Sequence, residues 1–276
     1  MGRVDRVLCW NMGCGERAKY TDVQLGARLR LLSKVVTEQS PALIALQESP
    51  SEGDLAVALG SNYGVARTID GVATAHDNRR WSCDEQDLSD GRVAVVGLQP
   101  VGASESLWVL NVHGPALYVS DLEKQQFVRC RIGKKLLELR GRDGLRQNIV
   151  AGDLNLPPFD QSVVRGDGLH ANRSLPWVRG KPYGLDRRMF NATWGILSCH
   201  DGACGTFYRT PVEVDGPWHA IDQIIMTERL VDESKYSVEV LEAVGGVSLR
   251  TSGRVGMPNV KIGSDHLPLM TTASVG

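Results

Sequence analysis

The 276-residue sequence has no apolar run approaching the roughly 18–20 residues that a membrane-spanning helix needs. It also lacks an excess of one charge, because 31 basic residues oppose 32 acidic ones and the formal net charge is −1. Any surface that attracts nucleic acid must therefore be local. Residues 1–6 lead into a strand-like segment without the apolar core of a signal peptide. We therefore expect a cytoplasmic protein without a membrane segment.

Cysteine is too scattered to predict a disulfide framework. The six cysteines are Cys9, Cys14, Cys83, Cys130, Cys199 and Cys204. Their irregular spacing in a chain of this length favours free thiols in a reducing compartment over three disulfides. The Cys199-His200 pair with Cys204 lacks a second ligand pair at zinc spacing, so a structural zinc site is disfavoured. The composition, 42% hydrophobic and 23% charged, is that of a globular protein.

Hydrophobic periodicity predicts strands in adjacent groups with a few helices between them. The predicted strands cover residues 4–10, 42–47, 64–75, 92–99, 107–113, 149–155, 220–226, 236–244 and 266–274. The predicted helices lie between a Thr21/Gln24 capping box and Pro41, over residues 51–60, and between a Ser120/Glu123 capping box and Gly141. The polar residues 76–91 predict a loop. Residues 156–218 predict a long irregular segment, and such segments often carry function.

No internal repeat or linker divides the sequence, so we predict a single domain over residues 1–276. The order of elements fits an α/β protein in which two mixed sheets pack face to face with helices outside.

One stretch, residues 149–155, combines a buried-strand pattern with two polar residues at its end. Side chains alternate along a strand, so Asp153 and Asn155 are expected to project together, and Pro157 and Pro158 prevent continuation of the strand. A carboxylate and an amide placed side by side can bind a water and a phosphate. Taken alone, the stretch is equally compatible with an ordinary turn, because Asp and Asn favour turns.

Polar residues also stand at or near the ends of other predicted strands. They are Asn11, Glu48, His113, Asp222, Asp265 and His266. Each one alone is most often a turn former or a solvated residue. Together they make up the parts needed for metal-assisted hydrolysis of a phosphate ester. Mg²⁺, for which Mn²⁺ can substitute, prefers hard oxygen ligands, which Glu48, Asp265 and the Asn11 carbonyl oxygen can supply.

The remaining residues suit proton transfer and transition-state stabilisation. Either Asp153, or His266 held by Asp222, can activate the water, because a carboxylate fixes the tautomer and raises the basicity of an imidazole. Asn155 and His113 can hold the non-bridging oxygens and the water in line.

These residues lie in six short motifs that resemble, in order, those of the endonuclease/exonuclease/phosphatase superfamily, which includes deoxyribonuclease I. The motifs are Trp10-Asn11-Met12, Leu46-Gln47-Glu48, Asn111-Val112-His113, Gly152-Asp153-Leu154-Asn155, Ile221-Asp222-Gln223-Ile224 and Ser264-Asp265-His266-Leu267-Pro268. The resemblance covers nearly the whole chain. It implies a four-layered α/β sandwich, a site at one edge of the paired sheets, and Mg²⁺-dependent phosphoesterase chemistry.

The resemblance implies the same division of roles among the site residues. Glu48 would be the principal metal ligand, and Asp222 and His266 would form a dyad. It leaves open whether Asp153 or His266 takes the proton.

The substrate class is less defined, because one fold serves many functions. His113 stands where abasic-site endonucleases have a tyrosine, and Trp218 lies farther upstream of Asp222 than their tryptophan does. Asn155-Leu156-Pro157 replaces the Asn-Tyr-Arg of inositol-polyphosphate 5-phosphatases. These departures weaken both the abasic-site endonuclease and the inositol-polyphosphate 5-phosphatase interpretation.

Local charge favours nucleic acid as the substrate. Residues 129–146 contain seven basic side chains against two acidic ones, and residues 156–218 interleave arginines with aromatic residues. Cations beside aromatic rings are typical of single-strand binding surfaces. We therefore predict that Arg187, Arg188 and Trp177, together with Asn111, bind the substrate.

The sequence thus predicts a Mg²⁺-dependent nuclease, with DNA favoured over RNA. The alternative is a phosphatase or phosphodiesterase acting on a small phosphorylated molecule or a lipid headgroup. A catalytically inactive binding module is disfavoured, because no position of the six motifs holds an inert residue.

Overall fold

The structure of the protein, a computed structural model, describes residues 3–15, 20–102, 106–143, 147–180, 188–198, 203–213, 216–253 and 256–275. The strands are, in chain order, β1 (Arg3–Asn11), β2 (Leu43–Gln47), β3 (Tyr63–Arg67), β4 (Ala73–Asp77), β5 (Trp81–Asp90), β6 (Val93–Pro100), β7 (Leu107–His113), β8 (Asn148–Asp153), β9 (Ala171–Asn172), β10 (Met189–Asn191), β11 (Phe207–Glu213), β12 (Gly216–His219), β13 (Asp222–Met226), β14 (Val238–Val240), β15 (Ala243–Val244), β16 (Val247–Ser248) and β17 (Leu269–Val275). The α-helices are α1 (Asp22–Gln39), α2 (Glu52–Leu59), α3 (Asp121–Phe127), α4 (Lys134–Asp143), α5 (Gln161–Val164) and α6 (Leu175–Arg179). A π-helical turn, Val128–Gly133, joins α3 to α4, and 3₁₀-helices cover Ala192–Ser198 and Glu228–Leu230.

Most strands belong to two mixed sheets. The first sheet has the order β14-β17-β1-β2-β4-β3, in which β1 is parallel to β2 and antiparallel to β17. The second has the order β5-β6-β7-β8-β13-β10-β9, in which β8 is parallel to β7 and antiparallel to β13. Both β1 and β8 are therefore interior strands, and each ends in a polar residue of a motif. β11 and β12 form a separate hairpin.

Side-chain alternation along β1 divides the core on the two faces of the first sheet. Val7 and Cys9 belong to the apolar layer between the two sheets. Leu8 and Trp10 belong to a second layer, which they share with Leu32 of α1. The chain thus buries both faces of β1 from Val7 to Trp10, as the apolar run over these four residues predicts.

The same alternation in β8 completes the layers on the other side. Ile149 and Ala151 join the layer between the sheets. Val150 faces outward into a third apolar layer, which contains Phe127 of α3 and Ile132 of the π-helical turn. The order is therefore helix, sheet, sheet, helix, and the predicted four-layered α/β sandwich is confirmed.

The helix boundaries follow the predicted capping signals closely. Thr21 and Gln24 form a reciprocal capping box at the start of α1. The helix ends at Gln39, and the next residue, Ser40, has a φ of 46° and precedes Pro41. The third predicted helix begins at its capping box but continues through the π-helical turn to Asp143, beyond its predicted end. None of the helices in these ranges is long and apolar enough to cross a membrane.

The prediction of a loop at residues 76–91 is wrong. β4 extends to Asp77, and β5 occupies Trp81–Asp90 at the edge of the second sheet. Residues 82–86 are all exposed, so the strand has no buried apolar face that would give an alternating pattern. Charged residues on an edge strand also discourage pairing with another sheet. The polar composition of residues 76–91 therefore reflects a charged edge strand and not a loop.

Two other predictions concern the thiols and the irregular segment. The cysteines of the described ranges, Cys9, Cys14, Cys83, Cys130 and Cys204, are free thiols, as predicted. Cys199 and His200 lie outside those ranges. Residues 156–218 contain more regular structure than predicted, because α5, α6 and four short strands, β9 to β12, fall within or at the end of this segment.

Candidate active site

Motif residues from both sheets meet at one end of the sandwich. In the first sheet, β1 ends at Asn11 beside the end of β2, which Glu48 follows directly. In the second sheet, β7 and β8 end side by side with His113 opposite Asp153, and β13 begins with Asp222 opposite Asp153. The strand directions alone therefore bring these polar side chains to the edge at which the resemblance places a site.

Asp153 lies at the centre of this edge and is only 2% exposed. Its Oδ2 accepts a hydrogen bond from Asn11 Nδ2 at 3.0 Å, which links the two sheets. Burial raises the pKa of the Asp153 carboxyl above its ordinary value, and the Asp222 carboxylate adds to the rise, while His266 and Asn11 oppose it. A carboxyl with a raised pKa exchanges a proton closer to neutral pH.

Asn155 stays beside Asp153 through its backbone. β8 ends at Asp153, and Asn155 has a φ of 52°, so the alternation used to predict its direction does not extend to it. Its N–H donates to Asp153 Oδ1 at 2.9 Å, and the residue is 7% exposed.

His266 and Asp222 lie in direct contact. His266 Nδ1 is 2.7 Å from Asp222 Oδ2, and both side chains are buried. Burial lowers the pKa of His266, but the charge and hydrogen bond of Asp222, together with the charges of Asp153 and Asp265, raise it, so the net change is upward. The other ring nitrogen, His266 Nε2, lies 3.9 Å from Asp153 Oδ2. Two groups that can exchange a proton with a substrate or a water are therefore close neighbours.

Two contacts of this pair come from a segment that carries no sequence motif. Thr206 is fully buried, and its hydroxyl donates to the same Asp222 Oδ2 that contacts His266. The Phe207 ring packs against the His266 ring with centroids 4.8 Å apart. Asp222 Oδ1 is buried without a hydrogen-bond partner in the described ranges, so Oδ2 carries both contacts. Sequence reasoning missed Thr206 and Phe207, because a single Thr-Phe pair in an irregular stretch gives no signal.

Thr206→Val tests the contribution of this hydroxyl. The substitution keeps the shape of the side chain and removes the donor, so the free energy of unfolding should fall by about 1.5–3 kcal/mol, the range for a hydrogen bond to a charged group. kcat/KM should fall as well, because Asp222 loses one of the two groups that fix it. Urea unfolding and steady-state kinetics measure the two effects. Thr206→Ser should retain both properties, and equal losses in the two variants would contradict the assignment.

Glu48 adjoins the site through His113 and Asn11, and Asn11 also contacts Asp153. Its backbone has a φ of 44°, and its carbonyl accepts a hydrogen bond from Cys14 N–H at 2.8 Å. Its side chain is 30% exposed, with Oε1 3.6 Å from His113 Nε2 and 3.5 Å from Asn11 Nδ2. Burial lowers the pKa of His113, although Glu48 partly offsets this, so the neutral imidazole is favoured.

Glu48 and Asp265 both offer carboxylate oxygens of the kind that a hard divalent cation prefers. Its carboxylate is accessible at the edge, and Asp265 is exposed nearby in sequence to His266, with Oδ1 accepting from Ser264 Oγ at 3.0 Å. Asn11 fits less well than predicted, because its Oδ1 accepts from Gly13 N–H at 3.0 Å and its Nδ2 faces the carboxylates.

A second set of possible ligand atoms lies among the buried residues. Asp153, Asp222 and His266 each offer one atom, and these lie within 4.8 Å of one another. The hydrogen bond between His266 and Asp222 would have to break before both could bind a metal. The pair of carboxylates Glu48 and Asp265 therefore stays the predicted cation site.

Asn111, predicted to bind substrate, lies between the sheets instead. It is fully buried, and its Nδ2 donates to the carbonyl oxygens of Ala73 and Leu46 at 2.8 and 3.2 Å. Its Oδ1 accepts from Gln47 Nε2 at 2.6 Å. These bonds tie β7 to β2 and β4. We therefore correct its predicted role as a substrate contact to a structural link between the sheets.

The predicted substrate residues Trp177 and Arg188 contact each other. The Arg188 guanidinium lies 4.2 Å from the centroid of the Trp177 ring and donates to the Trp177 carbonyl at 2.6 Å. His170 packs edge-on against the same ring at 5.2 Å. Trp177 is nevertheless 40% exposed, so a role for either residue in substrate binding stays a prediction. Arg187 lies outside the described residues.

Part of the predicted basic surface at residues 129–146 is neutralised by other segments. Three of its cations form ion pairs: Arg129 with Asp167 at 3.5 Å, Arg131 with Asp90 at 3.0 Å, and Lys135 with Asp87 at 2.7 Å. Two of these acids belong to β5, the strand that the sequence did not predict. The local excess of positive charge is therefore smaller than the segment alone suggests.

The sequence matches no protein-family model and no curated protein. Solved structures, in contrast, match along nearly the whole chain. An endonuclease/exonuclease/phosphatase family protein from Bacteroides thetaiotaomicron aligns with a TM-score of 0.68 at 15% identity, covering 100% of this chain and 99% of that one. A truncated TDP2 from Caenorhabditis elegans aligns with a TM-score of 0.64 at 16% identity, covering 99% and 98%. A mannosyl-6-phosphatase from Bacteroides thetaiotaomicron aligns with a TM-score of 0.63 at 14% identity, covering 96% and 98%. The chain therefore has the endonuclease/exonuclease/phosphatase fold, as its motifs predicted.

Proposed function

We propose that the chain is a metal-dependent phosphodiesterase that hydrolyses nucleic acid, with DNA favoured over RNA. The observation that carries the proposal is the meeting of Glu48, Asn11, Asp153 and the Asp222–His266 pair at one end of the sandwich. An accessible carboxylate for a cation and two neighbouring proton-exchanging groups are what hydrolysis of a phosphate ester requires. The names of the structural neighbours, which include a phosphatase, agree with this chemistry.

The chain's own residues divide the work of binding and proton transfer. Asp222 fixes the tautomer of His266 through Nδ1, so that Nε2 is free for proton exchange beside Asp153. Asn11 orients Asp153, and neutral His113 offers a hydrogen bond to a phosphate oxygen. Glu48, with Asp265, would hold the cation. When bound, Mg²⁺ neutralises charge on the phosphoryl group and stabilises the leaving oxygen.

An aromatic cluster beside the site supports nucleic acid as the substrate. Gln223, next to Asp222, donates to the Leu156 carbonyl and accepts from Asn191, so the segments after β8 and β10 both lie at this edge. These two segments carry Phe159 and Trp194, whose ring centroids are 6.2 Å apart.

Two further features make this cluster suitable for stacking. Phe159 is 53% exposed, and the Arg173 guanidinium lies 5.7 Å from the Trp194 ring centroid. An exposed ring beside a cation suits a nucleobase and its phosphate.

A second candidate is a phosphatase that acts on a small phosphorylated molecule. The observation that favours it is the pairing of Arg129, Arg131 and Lys135 with acids, which shortens any cationic track for an extended strand. A substrate held within the site would need no such track.

A panel assay tests the proposed chemistry and the substrate class together. EDTA-treated protein should be inactive, and Mg²⁺ should restore cleavage of single-stranded DNA, plasmid or RNA more than hydrolysis of an abasic duplex, phosphoinositides, sphingomyelin or a sugar phosphate. Asp222→Asn, purified in parallel, should show no cleavage and so exclude a contaminating nuclease. Turnover that survives EDTA would refute the mechanism. Hydrolysis confined to the sugar phosphate would establish the second candidate.

Phe159→Ala tests whether the substrate stacks on the aromatic cluster of Phe159 and Trp194 or on Trp177, which the sequence predicted. Stacking on one base contributes about 1–3 kcal/mol, so KM for a single-stranded oligonucleotide should rise by about 10-fold or more while kcat is kept. Phe159→Tyr should retain the wild-type KM. A rise in KM for Trp177→Ala but not for Phe159→Ala would instead support the sequence-based prediction.

A further inference from the structure

Arg28 is a buried cation that donates hydrogen bonds to two backbone oxygens and to one cysteine sulfur. It lies in the first half of α1 and is 5% exposed. A buried guanidinium is costly unless its N–H groups are bonded. Within the described ranges, Arg28 Nε donates to the Gly263 carbonyl at 2.9 Å, and Nη1 donates to the Gly13 carbonyl and to Cys14 Sγ. The two carbonyls belong to loops that are about 250 residues apart in sequence, so Arg28 joins two distant segments.

The first of these segments, the Gly13 loop (residues 11–15), controls the Glu48 side of the site. Gly13 N–H donates to Asn11 Oδ1 at 3.0 Å, and Cys14 N–H donates to the Glu48 carbonyl at 2.8 Å. Gly15 also packs against Glu48, because a Cβ at this glycine would lie 3.0 Å from Glu48 Cγ. A shift of the Gly13 loop would therefore move both Asn11 and Glu48.

The second segment, the Gly263 loop (residues 256–265), leads directly into the other side. Ser264 Oγ donates to Asp265 Oδ1 at 3.0 Å and accepts from His266 N–H at 3.2 Å. The two loops touch each other beside Arg28, since a Cβ at Gly13 would lie 3.1 Å from Ser264 Oγ and 3.4 Å from Arg28 Nη1. Arg28 thus lies where the two halves of the cation site are joined.

We propose that Arg28 is a positioning residue that fixes the Gly13 loop against the Gly263 loop and thereby holds Glu48 and Asp265 at the spacing a divalent cation needs. This inference rests on the proposed function of the site. The planar guanidinium sends donors in different directions from one rigid group, and a lysine ammonium cannot reproduce that geometry. The side chain does not act as a ligand, because it is a cation without an acceptor atom.

The direction in which the metal affinity changes separates a positioning role of Arg28 from an effect of its charge. A buried positive charge near the site repels a divalent cation, so removal of the charge alone should tighten metal binding. Loss of the bridge between the loops should weaken it, by about 10–100-fold if Arg28 acts as outer partners of metal ligands usually do. The two roles therefore predict opposite results for Arg28→Met.

Titration of the full-length protein with Mn²⁺, with free Mn²⁺ followed by electron paramagnetic resonance, measures this directly. Arg28→Met and Arg28→Lys should both bind Mn²⁺ about 10–100-fold more weakly than wild type. The lysine variant keeps the charge and the stem, so it serves if the methionine variant does not fold. Activity at low Mg²⁺ should fall in both and recover as Mg²⁺ is raised, because the ligands themselves remain.

Matched controls on the same helix exclude trivial causes. Arg30→Met removes an exposed cation from α1 and should leave Mn²⁺ affinity unchanged. Val35→Ala opens a gap under α1 and should lower Tm without changing the affinity. Equal or tighter binding in Arg28→Lys would overturn the role of Arg28. Wild-type affinity in Glu48→Gln would instead overturn the proposed cation site, which distinguishes the two failures.

Discussion

Glu48→Gln is expected to lower kcat/KM for phosphodiester hydrolysis by about 10³-fold, because a neutral amide replaces the carboxylate that would hold the cation. A bound cation supplies several kcal/mol of transition-state stabilisation, and a loss of roughly 4 kcal/mol corresponds to this factor at 1.36 kcal/mol per tenfold change. Kinetics over a series of Mg²⁺ concentrations measure the effect. Part of the activity should return at high Mg²⁺, since the amide oxygen is still a weak ligand.

Folding of this variant should be preserved, which makes the loss of activity interpretable. The Glu48 side chain is 30% exposed, and its contacts with His113 and Asn11 are long, at 3.6 and 3.5 Å. Gln tolerates the same backbone conformation as Glu, so the φ of 44° adds no new cost. Glu52→Gln makes the same change at an exposed position of α2 and should behave as wild type. Full activity of Glu48→Gln at low Mg²⁺ would refute the assignment of Glu48.

The interior strands could be predicted from the sequence because both of their faces are buried. In β1 from Val7 and in β8 from Ile149 every residue is apolar up to the first polar motif residue, and that residue marks the end of the strand. An apolar run of this kind is a specific sign of a buried strand, because burial determines both its length and the residue at which it ends. The strand ends therefore located Asn11 and Asp153 correctly at one edge.

β5 could not be predicted in the same way, because tertiary contacts determine its structure. Its side chains are mostly exposed, and its pairing with β6 is interrupted by bulges. Asp87 and Asp90 bond to Lys135 and Arg131 of a segment more than 40 residues away. Neither the strand nor these pairs leave a periodic signal, so a polar composition indicated a loop.

The site shows the same division between strand ends and distant partners. The alternation that places Asp153 on the inner face of β8 also places Asn111 on the inner face of β7, deep enough to be buried, and applying it would have corrected the prediction of a substrate contact. Thr206 is different, because it reaches Asp222 from 16 residues away through a segment without periodicity. Such a partner is defined by the fold alone.

Gly152→Ala is expected to lower the free energy of unfolding by at least about 3 kcal/mol, at the upper end of the usual cost of overpacking. Gly152 has a φ of 152°, a conformation that residues with a side chain rarely adopt. A Cβ placed there would lie 1.9 Å from the Val112 carbonyl oxygen. Val112 is the direct partner of Gly152 in the parallel pairing of β7 and β8, so the obstacle is backbone and cannot rotate away.

The damage should reach the site as well as the fold, because the next residues along these two strands are His113 and Asp153. Separation of the strands at Gly152 would move Asp153 away from Asn11 and lower kcat even in the fraction that still folds. Urea unfolding and kinetics on the same preparation measure both effects. Gly53→Ala, in α2 with its nearest neighbouring atom 4.0 Å away, should lose neither stability nor activity. Unfolding of Gly152→Ala at the same urea concentration as wild type would contradict the close approach of β7 and β8 that places Asp153 beside His113.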